Sequence, residues 1–511
     1  LLKEIELADG TKMQYTYDTA GDLTNAAHVS ADGNQSVQEP YAYDKEHHMT
    51  AITDAEGNDY GVTYEGEKAV RFTKPDGEYQ QITYGDGTTM VSLHKSDGTK
   101  ISEDSMTYEK NSGKLLSSTN GNGVKTTYQY ENTENPLLQT GTEITVCYQT
   151  LENNQVNFKN DVKVTTTTSY DSNENVVEEV DETGQVTSTT YGTGKESSLA
   201  QTEVIKNSEG ETTSDTTYDY DDHGNMILEY EDIGDTRTEY AYDEDGEVKE
   251  EQSYENVKSE GDAGVLTSEQ TTQKEEADHK VSETLTSTQG EVTQEDTTAY
   301  DAMGREVSST DRNTGEVTRI TYDFMGRAVE TERSLKDQEG KDTVQTETKS
   351  YNANGAVTSE TSSAGVTTEY RYDSRNRVTT TKEEADNTTK TTETSYGYET
   401  AVIHTLTGTK TYKDLQVQTT KVNGTVTDKT WTDHAGNAVR TLSSGIYTDH
   451  VFTEDGKEIA VITLGSSTDG EGKISLTLYN KEGKTTHTIS QPVVDGDSIT
   501  TGKDTIINET A

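Results

Sequence analysis

Val317-Thr318-Arg319-Ile320-Thr321-Tyr322 runs directly into Tyr322-Asp323-Phe324-Met325-Gly326-Arg327, and Ala328-Val329 follows. The first half alternates β-branched or apolar residues with polar ones, which predicts a half-buried strand. The tyrosine ends that strand. An Asp carboxylate accepts backbone N–H groups two residues on and so sets a turn. The glycine supplies the positive φ that the turn requires. An aliphatic residue then opens the return strand. The stretch reads as strand, tight turn, strand.

The same phrase recurs along the chain. Clean copies are Tyr17-Asp18 with Gly21, Tyr220-Asp221 with Gly224, Tyr242-Asp243 with Gly246, and Tyr300-Asp301 with Gly304. Tyr351-Asn352 with Gly355 and Tyr479-Asn480 with Gly483 use Asn for Asp, and Tyr372-Asp373 has Asn376 in the glycine position. Copies at Tyr43-Asp44 and Tyr170-Asp171 lose the glycine, to His47 and Glu174. Neighbouring copies lie 22 residues apart between Asp221 and Asp243 and between Asp301 and Asp323. That length fits two short strands and two turns. A second turn marks the other half of each repeat, as at Asp32-Gly33, Glu56-Gly57, Asp76-Gly77, Asp97-Gly98, Thr314-Gly315 and Ala364-Gly365. No sustained helical period appears. The expected fold is all-β, a single array of tandem hairpins over 1–511. Repeats are clearest at 1–130, 216–250 and 291–380, and divergent at 131–215, 251–290 and 381–511. Trp431-Thr432-Asp433 with Gly436 reads as a copy with tryptophan leading.

Composition predicts extended sheets with modest, tyrosine-lined faces rather than a thick apolar core. Of the 511 residues, 28% are hydrophobic, and mean hydropathy is -0.93. Such polarity borders on that of disordered chains, but only 4 prolines are present and tyrosine dominates the aromatics, with 30 Tyr against 4 Phe and 1 Trp. Tyrosine packs its ring on a sheet while its hydroxyl reaches water or a partner. The 95 acidic and 43 basic residues give a net charge of -52, which disfavours nucleic acid and anionic membrane as partners. The surplus serves solubility, or attracts cations or a basic cargo. Cys147 is the lone cysteine and reads as a small buried hydrophobe. The sequence begins Leu1-Leu2-Lys3-Glu4, without Met or an apolar leader, and is expected to be an interior piece of a larger polypeptide.

These residues resemble the RHS/YD-repeat family. Its motif, Tyr-Asp-x-x-Gly-Arg-Leu with Tyr-x-Tyr positions, is matched most fully by Tyr322-Asp323-Phe324-Met325-Gly326-Arg327 with Val329, and by Tyr15-Thr16-Tyr17-Asp18 and Tyr370-Arg371-Tyr372-Asp373. The resemblance implies a long spiralling sheet, an RHS-type β-shell segment. It also implies an exported bacterial setting: polymorphic toxins, insecticidal toxin-complex subunits and wall-associated proteins, with a related shell in teneurins. In many such proteins the shell encloses a C-terminal toxin. The Asp-Pro of the family's self-cleaving core segment has no counterpart in this sequence.

A search for catalytic patterns is unproductive. His-Glu-x-x-His, Gly-x-Ser-x-Gly and phosphate-loop motifs are missing from the sequence. His47-His48 would point to opposite faces of a strand, which is poor for chelation. Asp243/Asp245 and Asp495/Asp497 read as turn caps, with a glycosidase dyad or calcium binding as the lesser alternatives, since the pairs alone offer too few oxygens for calcium and a dyad needs a deep cleft. The tyrosines read as a cross-strand ladder, with stacking on sugars as the alternative. The expected function is therefore non-catalytic, with no cofactor. The chain would be an extracellular or cell-surface shell or scaffold whose partner is the rest of its polypeptide, including an enclosed cargo. The other reading is adhesion or carbohydrate binding.

Overall fold

Alternating segments become strands and Asp-Gly segments become turns in the computed structural model. It describes residues 1–510 apart from 122, 276–279, 288–291, 337–339, 387, 470–471, 482, 497 and 504. Among the described residues there are 42 strands, all joined in one sheet, and one short 3-10 turn at Gly194–Glu196. Each of the first 38 strands pairs antiparallel with the next, so the chain is one long up-and-down ribbon. The pairing Glu316–Tyr322 with Ala328–Lys336 is typical. The last strand, Ile506–Glu509, pairs with Thr485–Ser490, while Ser498–Thr500 crosses to Gln155–Tyr170.

Up-and-down connection sends alternate turns to opposite edges of the ribbon. Tyr-Asp turns such as 18–22, 221–225, 301–305, 323–327 and 373–377 occupy one edge. Asp-Gly turns such as 30–35, 54–58, 74–78 and 95–99 occupy the other. The ribbon coils, and a second layer lies against the first. The turn after the first strand meets the turn after the twenty-fourth, through Asp9 and Arg305. The turn after the seventh meets that after the thirtieth, through Asp76 and Arg375. One circuit thus takes 23 strands. At a spacing of about 4.8 Å, a round circuit measures about 110 Å, or about 35 Å across.

Two hairpins exceed the repeat. Gly141–Glu152 with Gln155–Tyr170 is the first, inside the divergent 131–215 stretch. Thr388–Thr405 with Gly408–Val422 is the second. A β-bulge interrupts the second between Glu399 and Ala401, opposite Asp414, which takes φ 54. Beyond the bulge the hairpin packs on the later strands.

The expectation of modest, tyrosine-lined faces meets an exception here. Two apolar clusters form, both mainly from the last quarter of the chain. One joins Val156 to Ala460, Leu476, Leu478, Ile489 and Ile499. The other joins Ile403, Leu415, Val417, Trp431 and Val439. Each fully buried Leu or Ile there contributes about 1.5–3 kcal/mol. The reason is local doubling: the two long hairpins lie over other strands, so residues such as Leu415 and Ile489 are covered on both sides. Part of the 251–290 stretch, and Asp497, lie outside the described residues.

Candidate functional site

Each Tyr-Asp turn is a small polar lattice. In 323–327 the Asp323 Oδ1 accepts the backbone N–H of Met325 (2.9 Å) and of Arg327 (3.0 Å). Gly326, at φ 79, donates its N–H to the Asp323 carbonyl (3.0 Å). Arg327 Nε returns to Asp323 Oδ2 at 2.7 Å, closing the turn with a charge-assisted bond. Arg305 on Asp301 and Arg377 on Asp373 do the same, at 2.7 and 2.8 Å. Asn225 takes the arginine's place on Asp221 at 2.9 Å. At Asp18 the carboxylate caps the N–H groups of Ala20, Gly21 and Asp22. Asp243 caps Asp245 and Glu247, which places the Asp243/Asp245 pair in such a turn. Asn352 and Asn480 cap Ala356 and Lys484 through their side-chain oxygens. The bonds hold the carboxyls low: Asn225 first, then backbone N–H groups, depress Asp221, and the Asp22 N–H leads at Asp18.

Substitutes for glycine adopt its conformation. His47, Glu174 and Asn376 stand at φ 68, 68 and 58. His47 and His48 lie in a turn. His47 bonds Asp22 of the neighbouring turn at 2.8 Å, and His48 lies between Asp44 and Glu67. Asp22 raises the His47 pKa, and Glu67 followed by Asp44 raises that of His48. At Trp431-Thr432-Asp433 the expectation needs correction. Thr432, not Trp431, ends the strand beside the Asp433 turn, and Trp431 points the other way into its apolar cluster. Alternation along a strand requires this, since adjacent side chains take opposite faces.

The motif tyrosines do more than line a face. Each Tyr-Asp turn carries a β-bulge, at which the tyrosine pairs with the residue two after the glycine position. Tyr300 pairs with Glu306, Tyr322 with Ala328, Tyr351 with Val357 and Tyr372 with Val378. The carbonyl at that bulge accepts the hydroxyl of the next repeat's tyrosine. Tyr322 donates to Glu306 (2.6 Å), Tyr351 to Ala328 (2.8 Å), Tyr372 to Val357 (2.5 Å) and Tyr396 to Val378 (3.2 Å). Tyr220, Tyr242 and Tyr479 follow the rule with Ala200, Met226 and Glu458. Tyr17 occupies the same strand-end position. Arginine adds a second link. The Arg305, Arg327 and Arg377 guanidiniums lie over the rings of Tyr322, Tyr351 and Tyr396, at 5.0, 4.9 and 4.2 Å. That stacking covers one face of each ring. The signal for it is an arginine directly after the positive-φ residue, as in Gly304-Arg305, Gly326-Arg327 and Asn376-Arg377, one repeat before a tyrosine.

Between the layers, the Asp-Gly edge of the first faces the Tyr-Asp edge of the second. Arg305 reaches Asp9 at 3.2 Å, and Phe324 meets the His28 ring edge-on. Glu56 accepts the Ala353 N–H (2.7 Å), and Asp54 accepts the Asn354 amide (2.8 Å). Arg375 bridges Asp76 (2.9 Å) and Glu78 (2.8 Å). Tyr398 donates to Glu78, and Lys95 pairs with Asp414. Burial, then Glu78, pushes the Tyr398 phenol up, so it remains a donor. Eight of the 11 arginines lie between Arg305 and Arg377, and three of them, Arg305, Arg375 and Arg377, reach these acidic turns. Two cavities, of about 530 and 480 Å³, lie on this seam beside Arg375 and Asn354.

A buried polar centre anchors the second long hairpin. Asp449 is fully buried and takes a bidentate Arg440 at 2.5 and 2.7 Å. It also accepts the His404 backbone N–H (2.7 Å) and bonds the His404 ring (2.8 Å). Among the described residues, no group of three or more His, Cys, Asp or Glu is arranged to hold a metal ion, and no helix is long and apolar enough to cross a membrane.

Residues 351–389 match the RHS repeat family. No curated protein matches the chain. Solved structures that resemble it include a TcdB2-TccC3-Cdc42 complex and the Photorhabdus luminescens Tc holotoxin pore. Each is 12% identical, with 96% of this chain and 28% of the other aligned at a TM-score of 0.40. A porin-like protein from Bacteroides uniformis aligns over 54% of this chain and 95% of its own, at 12% identity and a TM-score of 0.18. The chain therefore spans under a third of the length of the Tc proteins.

Proposed function

We propose that the chain, whose residues 351–389 match the RHS repeat family and whose turn chemistry extends well beyond them, is a non-catalytic wall segment of an exported bacterial shell that encloses or presents a toxin cargo. The observation that carries the reading is the return of the ribbon on itself after 23 strands, with the two layers in register at Asp9–Arg305 and Asp76–Arg375. A coiled single sheet bounds a volume without filling it, unlike a packed core. The net charge of -52 keeps such a wall soluble and favours a basic occupant.

Protease protection tests this. A short basic reporter peptide is fused after Ala511, and its cleavage is compared with that of the free peptide mixed with the chain. Enclosure predicts cleavage at least about tenfold slower for the fused reporter, since proteolysis tracks the exposed fraction. Equal rates would remove the enclosing role and leave a presenting scaffold.

A further inference from the structure

We propose that the seam between the two layers is a parting line, along which the shell opens at high ionic strength by pivoting on an apolar hinge, without loss of the sheet. The inference goes beyond the shell reading and holds whether or not a cargo is enclosed.

The two ends of the seam are built differently. From Asp9 to Lys95 the described contacts are ion pairs and side-chain hydrogen bonds: Asp9–Arg305, Glu56–Ala353, Asp54–Asn354, Asp76 and Glu78 with Arg375, and Lys95–Asp414. Two ring contacts join these layers among the described residues, His28 edge-on to Phe324 and the Lys95 ammonium 4.7 Å from the Tyr398 ring centroid, and Tyr398 donates to Glu78. Both cavities interrupt this part, so it is not close-packed. Partly exposed ion pairs are weak individually and are screened by salt, with a Debye length of about 3 Å at 1 M. The far end differs. There Val156 is buried with Leu476, Leu478, Ile489 and Ile499. Gln155 and Val156 also form ladder pairs with Thr500 and Ile499, and Thr501 donates its N–H to the Asn154 carbonyl at 2.9 Å. Salt strengthens apolar burial and leaves ladder bonds largely unaffected. Within each layer, strands are held by continuous antiparallel ladders. Raising salt therefore weakens one end of the seam and leaves the hinge and ribbon intact.

Hydrogen exchange at single amides and solution X-ray scattering, both on the full chain at about 0.05 M and about 1 M NaCl, test this. At high salt the Ala353 N–H, held by Glu56 across the seam, is expected to exchange at least about tenfold faster. The Thr501 N–H and amides of intralayer ladders should stay within about twofold of their rates, while the maximum dimension grows. The Arg305→Gln/Arg375→Gln double variant should show the same pattern at low salt. If that variant does not fold, the salt titration of the unaltered chain decides alone. An unchanged maximum dimension overturns the proposal, even with faster Ala353 exchange, because that is local fraying. So does equal acceleration at Ala353, Thr501 and the ladders, because the seam is then no separate joint.

Discussion

Tyr351→Phe removes one oxygen from the ladder and little else. In the intact protein that hydroxyl donates to the Ala328 carbonyl at 2.8 Å, at the bulge where Ala328 pairs with Tyr322. The ring remains, and so does the Arg327 guanidinium 4.9 Å from its centroid. A typical intramolecular hydrogen bond contributes about 0.5–1.5 kcal/mol net, and a buried carbonyl left without its partner costs about 1–3. Tyr351 is half-buried, so water reaches the orphaned carbonyl in part. The expected loss is about 1 kcal/mol, or about fivefold in a local opening equilibrium. A global melt is too coarse an assay for so small a loss, because a repeat array unfolds in neighbouring units. Hydrogen exchange resolved along the chain is the right one. Exchange should quicken about fivefold in the repeats from Glu306 to Tyr372, and stay unchanged around Leu476. Tyr351→Ala, which also loses the ring and its cation contact, should cost about 3 kcal/mol. If Tyr351→Phe exchanges like the unaltered chain, or quickens everywhere alike, the bulge-capping role of the tyrosine is wrong.

Gly326→Ala should cost about 1–2 kcal/mol, since φ 79 strains any Cβ and the new methyl would meet the Arg305 guanidinium at 3.1 Å; urea unfolding against Gly33→Ala, where nothing crowds the added carbon, separates crowding from backbone strain. Asp449→Ala leaves Arg440 buried without its partner and should cost about 3–5 kcal/mol, while Arg440→Met with Asp449→Leu should recover most of it, as thermal melts would show. The Asp18, Asp171 and Asp221 carboxyls are held below their ordinary value in the folded chain. A depressed carboxyl contributes stability above its unfolded pKa, near 4, and loses it as pH falls through the lower folded value. Urea midpoints should therefore fall from pH 5 toward pH 3, with a shallower fall in Asp221→Asn.

Most of the ribbon could be read from the residues. Asp and Gly at fixed spacing set the turns, and alternation set the strands, because both depend on neighbours within a few positions. The single all-β sheet was accessible for the same reason. The coil was not. Its circumference depends on twist accumulated over many strands, and its contacts join residues such as Asp9 and Arg305, almost 300 positions apart. A trace of it does lie in the sequence, in the cluster of arginines between Arg305 and Arg377, of which Arg305, Arg375 and Arg377 meet acidic turns across the seam. The tyrosine hydroxyl's partner was hidden because bulge placement, not spacing, supplies the carbonyl. The apolar clusters were missed because they need two hairpins to double over other strands, and Trp431 was read as the leading aromatic of a motif copy when alternation sends it to the core.

An odd circuit of 23 strands has a consequence for how such a wall can change size. Hairpin tips meet hairpin tips only when the layers are offset by an odd number, since successive tips leave by opposite edges. Adding or deleting one full repeat changes the offset by two strands and about 10 Å of circumference, and every tip still finds a tip. A lone strand would set tips against gaps along the whole joint. The ring already carries both sizes. Its offset is 23 at Asp9–Arg305 and 25 where Gln149 meets the Tyr479 N–H. Diameter is therefore quantised in repeats, and a wall of this kind can be lengthened or trimmed by whole hairpins without redesigning its joint.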